Sequence, residues 1–369
     1  MKRSFIREIL EHTTNQTISF AGGLPNESLF PYQALRESGY RALSEPASLQ
    51  YTTSQGYQPL REKIAEQYAK QGFPTKSEEI MITSGSQQAL DIITRFYHSH
   101  EITIEAPSYL GAMNVFSMNK LKQSSVKLEY DGIDIEGFAQ NIQQSKLAYL
   151  IPDFQNPTGL TYSEEKRRLV ADHIEDVNGV LIEDSPYSQL FFERSYPSIS
   201  SMVPKHSFHL GSFSKVLAPA LRIGWIRASE ALLKPLIPYK EAMDLHTNSI
   251  AQRIIDDYLS DIENYQTHLE TIRSSYGEKM EFFAKALDEF LPMFEYRKPK
   301  GGMFIYGSLD GISTSNLVQK CLQKNVVFVP GREFYLNGSI DNEIRFNFTN
   351  STKNEIVKGL RLVNSTIHK

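Results

Sequence analysis

The chain has 369 residues, 40% hydrophobic and 22% charged, with a formal net charge of -4. That suits a soluble globular protein long enough for two domains with a substantial core, and it offers no basic surface for nucleic acid or an anionic membrane. The one cysteine, Cys321, excludes an internal disulfide and a cysteine-based metal cluster, and no apolar run approaches the roughly 18 residues that span a bilayer.

The N-terminus, Met1-Lys-Arg, soon meets Arg7, Glu8 and Glu11. It is not a signal peptide, and the expected location is the cytoplasm. Glu79-Ile-Met-Ile-Thr83 predicts a strand, with a helix from about Gln87. Further strands are predicted at Ile102-Thr-Ile-Glu105, Ala148-Tyr-Leu-Ile151, Val180-Leu-Ile-Glu183, Phe208-His-Leu210 and Ile223-Gly-Trp-Ile226. Ser163 stands as the N-cap of a helix running to Ile174, with acidic residues in its first turn. Strand–helix alternation of this kind implies an α/β architecture with a mainly parallel sheet flanked by helices. Ligands of such sheets bind beyond the carboxyl ends of the strands.

From about residue 229 the pattern changes to long helical stretches, which run to about residue 290. Short strands follow at Met303-Phe-Ile-Tyr306, Val326-Val-Phe-Val329 and Ile344-Arg-Phe-Asn-Phe348. They predict a smaller α+β domain. The expected partition is a large domain over residues 30–240 and a small domain built from residues 1–29 and 241–369.

Several polar motifs fall at predicted strand ends. Ser84-Gly-Ser-Gln-Gln-Ala-Leu90 leads from a strand into a helix, where backbone amides and the helix dipole favour an anion. Ser86 and Gln87 can add side-chain donors; alone, the motif also reads as an ordinary N-cap. Ala106-Pro-Ser-Tyr109 supplies an aromatic ring that can stack on a flat ligand or simply fill the core. In Phe154-Gln-Asn-Pro-Thr-Gly159 the proline and glycine make a turn that holds Asn156 at a strand end. Glu183-Asp-Ser-Pro-Tyr187 offers the Asp184 carboxylate and the Tyr187 phenol, equally readable as a cap and a packing residue. Arg345, in Glu343-Ile-Arg-Phe-Asn-Phe348, is a charge inside an apolar strand and so needs a partner, either a structural carboxylate or a substrate's.

The densest segment is His209-Leu-Gly-Ser-Phe-Ser-Lys-Val-Leu-Ala-Pro-Ala-Leu-Arg222. It combines an amine, Lys215, with the hydroxyls of Ser212 and Ser214 and the guanidinium of Arg222. A phosphorylated aldehyde cofactor bound covalently to a lysine needs this set. Burial and cationic neighbours can lower a lysine's pKa, and arginine presents a planar fork to phosphate.

Eight stretches occur in order: Phe20-Ala-Gly-Gly-Leu-Pro-Asn26, Gln50-Tyr-Thr-Thr-Ser-Gln-Gly56, Thr83-Ser-Gly-Ser-Gln-Gln-Ala-Leu90, Phe154-Gln-Asn-Pro-Thr-Gly159, Gly211-Ser-Phe-Ser-Lys215, Asp244-Leu-His-Thr247, Lys300-Gly-Gly-Met-Phe304 and Val329-Pro-Gly331. Together they resemble the fold-type I, pyridoxal-phosphate-dependent aminotransferases of class I/II. The branch most similar holds 2-aminoadipate and kynurenine aminotransferases and the catalytic domains of MocR-type regulators. The resemblance implies the corresponding fold, whose larger domain carries a sheet of about seven strands. It also implies pyridoxal 5′-phosphate bound covalently to Lys215, whose freed amine then moves the substrate's Cα proton. Asp184 would pair with the pyridine nitrogen, Asn156 and Tyr187 would bind the ring oxygen, and Tyr109 would stack on the ring. Ser86, Gln87, Ser212, Ser214 and Arg222 would hold the phosphate. Tyr51 would reach the phosphate from a partner subunit, implying a homodimer with shared active sites. Arg345 would clamp the substrate α-carboxylate, with Asn156 and the backbone near Gly22 and Gly23 assisting. No metal is implied. Ser185 stands where the family often has a second aspartate, and Ala220 where it often has glycine.

The implied reaction is ping-pong transfer from an L-amino acid, such as 2-aminoadipate, glutamate or an aromatic or branched one, to a 2-oxo acid, 2-oxoglutarate foremost. Arg7, in Phe5-Ile-Arg-Glu-Ile-Leu10, matches an arginine that meets a distal carboxylate in relatives acting on acidic substrates; otherwise it forms a surface pair with Glu11. The same cofactor contacts would also serve a carbon–sulfur lyase. A MocR-like sensor of cofactor or amino acid is the third reading. Such regulators carry a DNA-binding segment ahead of this domain, whereas 21 residues precede Gly22 and the chain is acidic, so no nucleic-acid partner is expected.

Overall fold

The computed structural model describes residue 14 and residues 16–368. Its strands in chain order are β1 (Ile18–Ser19), β2 (Ile80–Thr83), β3 (Glu101–Ala106), β4 (Lys122–Lys127), β5 (Leu147–Leu150), β6 (Val180–Asp184), β7 (Ser207–Ser212), β8 (Gly224–Arg227), β9 (Phe294–Tyr296), β10 (Phe304–Leu309), β11 (Val326–Val327), β12 (Val329–Pro330) and β13 (Glu343–Asn347).

Seven of them form one sheet in the order β2-β8-β7-β6-β5-β3-β4. Neighbours from β7 to β4 pair in parallel, while β8 runs antiparallel to both β7 and β2. This is the mainly parallel α/β sheet that the strand–helix alternation predicts. Both of its faces are covered, as parallel sheets require. On β5 and just beyond it, Leu147, Tyr149 and Ile151 join one hydrophobic cluster and Ala148 and Leu150 the other. The helix Glu164–Asp176 starts where expected, with Ser163 accepting the Lys166 N–H at 3.1 Å.

β4 carries no sequence signal. Its residues are Lys-Gln-Ser-Ser-Val-Lys, only Val126 is buried, and it closes the sheet as a polar edge.

A second, antiparallel sheet has the order β12-β13-β10-β9. The single strand expected at Val326–Val329 is split at Phe328, because β11 pairs with β1 and β12 with β13. The β1–β11 pairing ties the N-terminal segment to the C-terminal part of the chain. The 29-residue helix Ile262–Phe290 links the two sheets. His268 Nε2 lies 2.7 Å from the carbonyl of Val216, beside Lys215, and Tyr276 Oη accepts the Asn26 N–H at 3.0 Å. Lys279 donates to the Thr349 carbonyl. Among the described residues no helix is long and apolar enough to cross a membrane.

Candidate active site

The parallel strands deliver their polar ends to one region. Asp184 closes β6, Ser212 closes β7 with Lys215 just beyond, Asn156 follows β5 and Tyr109 follows β3. Gly211 is needed because a side chain there would collide with the Trp225 ring on β8. That indole is pinned in turn by Tyr68 Oη at 2.8 Å.

Lys215 Nζ donates to the Gly23 carbonyl at 2.9 Å. Burial first, then the guanidiniums of Arg345 and Arg222, pull its ammonium down to about 8, with Asp184 opposing them. Burial pushes the Asp184 carboxyl up to about 6, against the hydrogen bond from Tyr149 and the charge of Lys215. Asp184 is therefore still ionised at neutral pH. Its Oδ2 accepts Tyr149 Oη at 2.8 Å, while Oδ1 is buried without a partner. The lysine shift has a measurable consequence in the cofactor-free protein. Capture of an aldehyde by Lys215 should rise about tenfold per pH unit and level off near pH 8, where the neutral amine becomes the main form. Peptide mapping of the trapped adduct against pH checks this; a plateau only above pH 10 would contradict it.

A cradle for an anion lies nearby. The helix Ser86–Phe96 has Gly85 as its N-cap, at φ 80° and with no side-chain cap, which leaves the Ser86 and Gln87 amides open. A side chain at Gly85 would strike the Arg222 guanidinium. Arg222, itself left-handed at φ 53°, donates to the Ser84 carbonyl at 3.0 Å and to Ser214 Oγ at 3.4 Å. Ser212 Oγ accepts the Ser214 N–H at 3.1 Å. Gln87 lies next to Tyr109, whose hydroxyl is 3.5 Å from Gln87 Oε1. Tyr51 is 77% exposed and stands edge-on to His246 at 5.7 Å.

On the other side, Arg345 is 1% exposed. Its partners are Asn156 Oδ1, at 2.7 Å, and the Ala21 carbonyl, neither of them a carboxylate, and its Nε is buried without a partner. The guanidinium lies 4.2 Å over the Phe304 ring. Burial lowers it only to about 10, so it remains charged. Asn156 also approaches Tyr187 Oη at 3.4 Å. A buried carboxyl group holds the Asn156 loop: Glu105 accepts from Ile151 N, Tyr162 Oη and Gln155 Nε2, and Gln155 Oε1 takes the Thr158 N–H at 2.9 Å.

Lys215, Asp184, Asn156, Tyr187 and Arg345 are thus brought together, with Gly23 against Lys215 and Ala21, the neighbour of Gly22, against Arg345. Ser86, Ser212, Ser214 and Arg222 gather around the helix start. Arg7 lies outside the described residues. Sequence reasoning missed Tyr149, Phe304 and Glu105; a tyrosine inside a buried strand needs a hydroxyl partner, which is the one signal that pointed to Tyr149. A large cleft of about 1460 Å³, lined by residues such as Tyr130, Leu160, Tyr196 and Pro299, does not include Lys215.

These groups fit pyridoxal 5′-phosphate at each end. The aldehyde has an amine held near neutrality, the phosphate has an open helix start beside Arg222, and the ring N–H has the free Oδ1 of Asp184. Fold and site together define a pyridoxal-phosphate-dependent transferase of fold type I. More narrowly, the chain belongs to the class I and II aminotransferases, whose family profile matches residues 21–361. It is 36% identical to the 2-aminoadipate transaminase of Thermus thermophilus, over 98% of this chain and 93% of that protein. It is 34% identical to aromatic-amino-acid aminotransferase 1 of Thermococcus litoralis, over 100% of this chain and 92% of that one. The crystal structure of Pyrococcus horikoshii kynurenine aminotransferase, in complex with PMP, superposes with a TM-score of 0.93 at 32% identity, covering 100% of this chain and 95% of the other. The chain is a pyridoxal-phosphate-dependent transaminase.

Proposed function

We propose that this aminotransferase carries its cofactor on Lys215 and works in two half-reactions, taking an amino group from an L-amino acid and delivering it to a 2-oxo acid, 2-oxoglutarate foremost. When bound, the cofactor supplies the electron sink that lets the Cα–H bond of an amino acid break. The protein's part is to orient that bond and move its proton. Arg345 holds the α-carboxylate in a bidentate grip, with Asn156 Oδ1 fixing the guanidinium's plane. Lys215 Nζ takes the Cα proton, which an amine with a pKa of about 8 can both accept and return. Asp184 Oδ1, buried without a partner, would hold the proton on the ring nitrogen. Tyr187 and Asn156 would hold the ring's oxygen, Tyr109 would stack on its flat side, and Ser86, Gln87, Ser212, Ser214 and Arg222 would hold its phosphate.

One observation carries this reading: Arg345 is a buried, charged guanidinium whose protein partners are an amide oxygen and a carbonyl, leaving Nε without a partner. A buried charge of this kind asks for a carboxylate, and every amino-acid and 2-oxo-acid substrate brings one. The named activities of the relatives favour 2-aminoadipate, glutamate and aromatic amino acids as donors, with Arg7 meeting the distal carboxylate of the acidic ones. The exposure of Tyr51 supports a homodimer in which that phenol reaches the partner's cofactor phosphate.

A half-reaction screen tests the proposal. Each amino acid is added to the purified enzyme, and conversion of the bound cofactor to its amine form is followed by absorbance. Acidic and aromatic amino acids are expected to convert it. Arg345→Gln should raise the concentration needed by roughly 100-fold for all of them, because a buried charge loses its partner. Arg7→Ala should affect only the acidic donors. If no amino acid converts the cofactor, the proposal fails.

A further inference from the structure

Behind the anion cradle lies a polar network, centred on the buried Lys240 and Thr247 and reaching the surface at Asp244, that the reaction itself does not use. Lys240 is on the helix Ile237–Asp244 and is 0% exposed. Its ammonium has three partners: Gln88 Oε1 at 3.0 Å, Asp244 Oδ1 at 2.6 Å and Thr247 Oγ1 at 2.8 Å. That satisfies all three of its donors. Gln88 Nε2 donates to Asp244 Oδ2 at 2.8 Å, and Gln88 Oε1 accepts the Ser84 N–H at 2.8 Å. Ser84 Oγ also approaches Asp244 Oδ2, at 3.4 Å.

Ser84 is thereby held on three sides: its N–H by Gln88, its hydroxyl by Asp244 and its carbonyl by Arg222. The next residues are Gly85 and Ser86, which open the helix onto the anion site. The Lys240–Asp244 pair carries no net charge, so what it passes to the cradle is geometry. The chain is bent to achieve this. Leu245 sits at φ 59°, ψ −55°, and His246 N–H closes back on the Asp244 carbonyl at 2.6 Å, a strained γ-turn. The turn carries Thr247 back to the ammonium that Asp244 already holds, and Thr247 Oγ1 also lies 3.2 Å from the Ile82 carbonyl on β2.

We propose that Lys240 is a positioning residue for the cofactor phosphate, fixing the Ser84–Ser86 backbone through Gln88, Asp244 and Thr247. This rests on the reading of that backbone and Arg222 as the phosphate site. Without the ammonium, Gln88 and Asp244 lose their shared partner, the Ser84 N–H loses its fixed acceptor, and the amides facing the phosphate lose their alignment.

The test compares pyridoxal 5′-phosphate with pyridoxal, which lacks the phosphate. Each is titrated into the cofactor-free full-length protein and binding is read by fluorescence. Lys240→Met is expected to raise the Kd for pyridoxal 5′-phosphate on the order of tenfold, the equivalent of one good hydrogen bond to a charged group. The Kd for pyridoxal should stay at the wild-type value, and kcat at saturating cofactor should be retained. A general loosening of the fold would weaken both ligands together, and that outcome, or no change in either, overturns the proposal. Thr247→Val removes one acceptor with little change of shape, and the same comparison decides on it if Lys240→Met does not fold. Arg222→Ala separates the two readings. If it leaves pyridoxal 5′-phosphate binding intact, the phosphate site itself is misassigned; if it weakens binding while Lys240→Met does not, only the role of Lys240 falls.

Discussion

Lys215→Ala is expected to lower transamination by at least about 1000-fold, the combined cost of losing a covalent attachment point and a positioned base. The protein should still bind pyridoxal 5′-phosphate, because the phosphate cradle and Asp184 do not depend on the amine. Borohydride treatment should then fail to leave the cofactor on the chain, which mass spectrometry reads directly. Lys215 suits both tasks because of where it lies. Burial and two nearby guanidiniums hold it near pH 8, so a useful fraction of neutral amine exists at physiological pH. Its hydrogen bond to the Gly23 carbonyl aims Nζ at the segment that, through Ala21, also holds Arg345. An added small alkylamine should restore part of the variant's activity by acting as the missing base. A variant that transaminated near the wild-type rate would remove Lys215 from the mechanism.

The sequence made one layer of this site readable and hid the next. Ser212, Ser214, Lys215 and Arg222 lie within one short stretch, and their residue types suit a phosphate and an aldehyde before any folding is considered. Asp184, Asn156 and Tyr109 could be placed because α/β sheets put ligands at strand ends, and each follows a readable apolar strand. The supporting residues are different. Tyr149 meets Asp184 across 35 positions, Gln155 meets Glu105 across 50, and Lys240 meets Gln88 across 152. Alone, a buried tyrosine reads as core and a lysine on a helix reads as surface. Only the pairing of β5 with β6, and the packing of the helix Ile237–Asp244 against Ser86–Phe96, assign their partners.

The same contrast holds for the fold. The central strands were legible because they are buried on both faces and rich in Val, Ile and Leu. β4 was not, because an edge strand faces water and can be built from Lys, Gln and Ser. The split between β11 and β12 was also hidden: Val326-Val-Phe-Val329 is uniformly apolar, and only its two different neighbours, β1 and β13, divide it.

Asp184→Asn should lower kcat by about 100- to 1000-fold while leaving cofactor affinity and folding largely intact. The substitution preserves shape and can keep the hydrogen bond from Tyr149. What it removes is charge. In the wild type the free Oδ1 is buried and ionised at neutral pH, so a ring N–H delivered to it meets a full negative charge in a low-dielectric setting. That charge would keep the ring nitrogen of the bound cofactor protonated and so able to draw electrons from the Cα–H bond. An amide offers only a dipole, so the nitrogen loses its proton more readily and the electron sink weakens. The pH profile carries the same signature. With Oδ1 unpaired the carboxyl stands raised to about 6, and a cationic ring nitrogen placed there would move it lower. Wild-type activity should therefore fall on the acid side only below about pH 6, through protonation of Asp184, and that limb should be absent from Asp184→Asn. Tyr149→Phe is the milder companion. It strips one hydrogen bond from Oδ2 and leaves the charge, so its loss should stay nearer tenfold, about what one hydrogen bond to a charged group is worth. If Asp184→Asn kept the wild-type kcat, or if Tyr149→Phe were the more damaging change, the charge of Asp184 would not be what drives the reaction.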